Sequence, residues 1–74
     1  MQNKNELFVM CENIKRIRTA HGLSEKDMAE VLGISVYVLT KLEAGDISLR
    51  LKADAIIRLC RRFGIEPKDV FVPM

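Results

Sequence analysis

Tryptophan is absent from this 74-residue chain, tyrosine and histidine occur once each, and there are two cysteines, two prolines and four glycines. Each scarcity removes a class of function. His21 alone, with Cys11 and Cys60 far apart and no CxxC spacing, gives a zinc ion too few ligands. Both cysteines fall within apolar helical stripes and read as buried, reduced thiols. No Ser/His/Asp or Cys/His set and no glycine-rich phosphate loop is suggested, and so short a chain leaves little room for a substrate pocket. The expectation is a protein that is not an enzyme and needs no cofactor. The opening MQNKNELFVM lacks the apolar run of a signal peptide, and no stretch approaches the ~20 apolar residues of a membrane span. A cytoplasmic protein without a membrane partner is expected. So few prolines and glycines also leave no disordered or repetitive segment.

Hydrophobic residues make up 49% of the chain and charged residues 30%, with a formal net charge of +2. That mild basic excess is compatible with a polyanionic partner without demanding one. A chain of this length buries only ~60% of the surface its unfolded form exposes, and a helical bundle is the most economical way to build a core from it. One domain over residues 1–74 is expected, with its core at about 7–71 and short tails at both ends.

Asn3 or Asn5 can cap a first helix, in which Leu7, Met10, Cys11, Ile14 and Ile17 recur at three- and four-residue intervals, the mark of one buried face. His21 falls in its last turn and Gly22 just after it, where a left-handed residue stops a helix. Ser24 then opens a second helix, with Asp27 three residues on completing a capping box. Met28, Ala29 and Leu32 form its inward face before Gly33 ends it. The pattern repeats at once: Ser35 caps a third helix, Leu39 and Leu42 supply its buried stripe, and Gly45 stops it. Two capped helices joined by one glycine-centred turn cannot lie antiparallel, so they cross steeply, with Ala29 small enough to allow close approach. A fourth helix is expected over residues 52–63 with Ala53, Ile56, Leu59, Cys60 and Phe63 inward. A short fifth helix begins at Pro67 and returns Val70 and Phe71 to the core.

From about Cys11 to Phe71 the chain resembles the phage repressor and Cro-type, or XRE-like, helix-turn-helix family. The resemblance is carried by IKRIR at residues 14–18, Gly22-Leu23-Ser24, and the framework of Ala29, Gly33, Ile34, Leu39 and Leu42. Glu43 and Gly45, Phe63-Gly64-Ile65 and Asp69-Val70-Phe71 continue it. It implies an all-α, five-helix, lambda-repressor-like bundle whose second and third helices form the helix-turn-helix. The third helix, residues 35–44, would lie in the major groove of double-stranded DNA while the helix before it crosses the backbone.

By that resemblance the DNA-facing residues are Glu25, Ser35, Val36, Tyr37, Thr40 and Lys41, with Ala44 at the helix end. Ser48 and Arg50 follow in the connection that approaches phosphates in such proteins. Helical spacing agrees, because with Leu39 and Leu42 inward the other residues of helix three point away from the core. The face departs from the family: Val36 stands where Gln or Arg is common, and Glu25 where Gln is common. No bidentate Asn, Gln or Arg reader is left, so DNA shape and phosphate contacts are expected to carry more than usual. Lys15, Arg16 and Arg18 suit either an ordinary polar face or an approach to the backbone. Arg61 and Arg62 suit the negative end of helix four.

The sequence thus points to a repressor-like transcriptional regulator, acting as a homodimer, with Phe8, Val9 and the tail from Val70 to Met74 as candidate dimer surface. The alternative is the same scaffold used as a protein-interaction module or an antitoxin, its exposed Val36 and Tyr37 binding a protein partner.

Overall fold

A computed structural model of the chain describes residues 4–46 and 51–74. Among these, four α-helices follow one another: α1 (Lys4–Ala20), α2 (Glu25–Leu32), α3 (Val36–Glu43) and α4 (Ala53–Phe63). The last element, Pro67–Phe71, is a 3₁₀ helix, so the expected fifth α-helix is corrected to a tighter turn. Five residues opened by a proline, with no side-chain cap from Glu66, are too few to offset the cost of starting an α-helix. Val70 nonetheless reaches full burial from it. Of the two expected caps, Asn5 is corrected: it lies inside α1, which already begins at Lys4, and so cannot cap it; Asn3 lies outside the described residues.

The local signals settle the helix ends. Leu23 N–H donates to the Arg18 carbonyl at 3.0 Å, around a left-handed Gly22, and closes α1. His21 ends that helix as a structural residue: its Nδ1 lies 2.9 Å from the Ile17 carbonyl and its ring 4.6 Å from the Phe63 ring. At α2 the capping box is complete, Asp27 N–H donating to Ser24 Oγ at 3.0 Å while the Asp27 carboxylate accepts from Ser24 N–H at 3.4 Å. Gly33 takes φ +71°, and Ile34 N–H donates back to the Ala29 carbonyl at 3.0 Å, so the chain turns directly into the next cap. There the Ser35 hydroxyl accepts from Val38 N–H at 3.1 Å.

The core gathers Met10, Cys11, Ile14 and Ile17 of α1, Met28, Ala29 and Leu32 of α2, Leu39 and Leu42 of α3, and Leu59 and Cys60 of α4. Helix α2 packs on α3 and α4, while α1 packs on α3 and the 3₁₀ turn. In α4 the expected phase needs one correction: Ala55 is buried and Ala53 is exposed. The buried stripe runs through residues 55, 56, 59, 60 and 63, and Ala53, the first residue of the helix, stands at its edge, about a quarter turn from its middle.

One buried polar residue is unexpected. Asn13 is only 1% exposed, and its side-chain amide donates to the carbonyls of Val70 at 2.7 Å and Val72 at 2.8 Å. Arg16 adds a hydrogen bond to the Met74 carbonyl at 2.8 Å. The C-terminal segment is therefore strapped along α1 instead of hanging free, with Phe8, Val72 and Met74 exposed.

Candidate nucleic-acid interface

Helix α3 divides cleanly into two sides. Leu39 and Leu42 have no exposed surface, and the partly buried Val38 packs beside them. Ser35, Val36, Tyr37, Thr40, Lys41 and Ala44 are all exposed. Tyr37 keeps 68% of its surface in solvent and Val36 43%, so neither fills the helix junction; Val38, which the sequence did not single out, occupies that position.

Four of the expected side chains are brought together. Thr40 Oγ1 donates to the Glu25 carboxylate at 3.4 Å, linking the outward side of α3 to the first residue of α2. The Lys41 ammonium lies 5.5 Å from the centre of the Tyr37 ring, a cation–π arrangement that holds a positive charge on this side. Ser35 sits at the N-terminal end of the same surface, its hydroxyl oxygen engaged by Val38 N–H. Ser48 and Arg50 lie outside the described residues.

Three arginines are occupied elsewhere. Arg18 donates from Nε to Glu43 at 2.7 Å and from Nη2 at 2.9 Å, and from Nη1 to the Leu23 carbonyl at 3.0 Å. The hydrogen bonds it donates to Glu43 push the Arg18 pKa above its ordinary value. Arg18 is thus committed to holding α1 on the end of α3. Its separation of 25 residues from Glu43 explains why sequence spacing could not pair them. Arg58 pairs with Asp54 at 3.1 Å, and its guanidinium also covers Gly33, 3.2 Å from where a Cβ would stand. Arg62 lies over the Phe63 ring at 5.2 Å.

The two cysteines are buried and free of any disulfide. Burial pushes both thiols above their ordinary pKa, with the negative charge of Asp46 adding to the effect at Cys11 and that of Asp69 at Cys60. Among the described residues no group of three His, Cys, Asp or Glu side chains could hold a metal ion. No helix among them is long and apolar enough to cross a membrane. A cleft of about 250 Å³ opens beside the α2–α3 turn, between Gly33, Val38 and Asp54. It is smaller than the ~300–1,000 Å³ of a typical small-molecule site.

Residues 14–70 match the sequence model of the family described as "Helix-turn-helix". A protein of Methanocaldococcus jannaschii described as an uncharacterized HTH-type transcriptional regulator is 31% identical over 65 residues, covering 85% of this chain and 92% of the relative. No solved structure matches the chain significantly.

Proposed function

The chain belongs to the helix-turn-helix family, and from that premise we propose that it is a DNA-binding transcriptional regulator, one domain over residues 1–74 acting in the cytoplasm as a homodimer. Helix α3 enters the major groove with Ser35, Val36, Tyr37, Thr40 and Lys41 toward the bases, α2 crosses the backbone, and the two copies read half-sites about one helical turn, ~34 Å, apart. The observation that carries this reading is the two-sided α3: a helix fixed by full burial of Leu39 and Leu42 whose opposite side is exposed and holds the Lys41 ammonium beside Tyr37. Val36 meets thymine methyls, Thr40 and Lys41 reach bases or phosphates, and Ser48 and Arg50 add backbone contacts from the connection to α4.

The test is a gel-shift titration on the DNA upstream of the protein's own gene across a range of salt. Lys41→Ala should weaken binding about tenfold at low salt and make the slope of log affinity against log salt shallower by about one, because one phosphate contact is lost. Unchanged affinity and slope would remove Lys41 from the interface.

The exposure of Val36 and Tyr37 favours a second reading, in which the same face binds a protein, as an interaction module or as the antitoxin of a toxin pair. That reading expects capture of a protein partner that Tyr37→Ala abolishes, and as a pure interaction module it expects no retardation of any duplex even at low salt.

A further inference from the structure

We infer that Glu25 is a specificity-determining residue: its carboxylate, held against Thr40, repels phosphates at the docking face and suppresses sequence-independent binding to DNA. The inference rests on the DNA-binding reading above and assigns a role to one residue of that face.

Three observations carry it. Glu25 is the first residue of α2, the helix that crosses the backbone when α3 occupies the groove. Its carboxylate is tied to the outward side of α3 by the Thr40 hydroxyl at 3.4 Å, which keeps the charge on the docking side. Among the described residues no cation forms a direct ion pair with it: Arg18, whose pKa the charge of Glu25 helps to raise, is closed onto Glu43, Arg58 pairs with Asp54 and Lys68 with Glu66, while Lys41 lies over Tyr37. Asp27, the other carboxylate in the first turn of α2, is accounted for by the capping box, whereas Glu25 contributes nothing to it.

The physics follows from the polyanion. Affinity for random DNA comes from cations replacing counterions along the phosphates, and a fixed anion at the contact surface opposes it for every sequence alike. A carboxylate is compatible with base edges that offer an amino group, cytosine N4 above all. Glu25 therefore lowers binding to random duplex more than binding to a site that places such an edge beside it, and the ratio between the two rises.

The test compares the wild-type protein with Glu25→Gln, which can keep the hydrogen bond to Thr40 and loses only the charge. Duplexes are first selected from a randomised library by the wild-type protein. Affinities of both proteins are then measured for the selected duplexes and for a random duplex of about 24 base pairs, long enough for two half-sites. Glu25→Gln should bind the random duplex about fivefold more tightly, the factor expected for one close charge pair in water, and the ratio of selected to random affinity should fall. Thermal melting of the variant should fall by no more than a few degrees, the small loss expected when one acidic residue leaves the first turn of a helix, separating a charge effect from damage to the fold. An unchanged or higher ratio overturns the role of Glu25 while leaving the DNA-binding reading standing. Wild-type binding to random duplex without enrichment of any sequence does the same, because nothing is then discriminated. If neither protein retards any duplex at low salt, both this inference and the DNA-binding reading fall.

Discussion

The Arg18 guanidinium closes on the Glu43 carboxylate through paired hydrogen bonds, Nε to Oε2 at 2.7 Å and Nη2 to Oε1 at 2.9 Å, and so ties the last turn of α1 to the last residue of α3. With Glu43 only 6% and Arg18 17% exposed along their side chains, little water competes for either group.

Removing one partner leaves the other charge unpaired in a poorly solvated place. Arg18→Ala and Glu43→Gln should each lower stability by about 2–3 kcal/mol, between the values for exposed and fully buried pairs. Urea unfolding of both single variants and of the double variant checks this. The double variant should lose clearly less than the sum of the two, and simple additivity would mean that the pair acts as two independent side chains.

Asn13 offers a second measurable contact. Replacing it by Ala strips the Val70 and Val72 carbonyls of their donors, at a cost of about 2–4 kcal/mol. Because the lost bonds hold the strap along α1, limited proteolysis should cut the variant first near the C-terminus. Cleavage elsewhere, or no change in rate, would show that the strap is held by apolar contact alone.

Alkaline stability should follow the thiols. Burial raises the pKa of Cys11 and Cys60 in the folded protein, so the folded thiols stay protonated at a pH where unfolded ones ionise. The stabilising contribution is complete below the ordinary value of 9.0 and is lost as pH rises from there through the higher folded values. The melting temperature should therefore decline above about pH 9, and a double Cys→Ala variant should show a shallower decline. The Arg18–Glu43 pair does not compete with this effect, since it pushes an already very basic group higher.

Much of the scaffold was legible because its signals are local. Ser24, Asp27, Gly33 and Ser35 act within four residues of themselves, and the apolar stripes of α1, α2 and α3 follow the helical period directly. Asn13 escaped because a polar residue reads as solvated, although it stands three residues after Met10 and four before Ile17, squarely in the buried stripe. That position was the available signal. No local signal could have paired Arg18 with Glu43, which meet only after three helices have packed. At the fifth element proline marks a helical start equally well for five residues or ten, and only length separates 3₁₀ from α. On the outward face, spacing identified which residues of α3 are exposed, but the link from Thr40 to Glu25 depends on the crossing of two helices and had to be seen.

The two-sidedness of α3 has a consequence for how such a protein can change. Leu39, Leu42 and Glu43 anchor the helix, whereas Val36, Tyr37 and Lys41 lie exposed outside the buried core. Their exchange leaves the folding equilibrium nearly untouched. Mutation can therefore change the chemistry of this surface without passing through an unfolded ancestor, and the same bundle can carry many different faces.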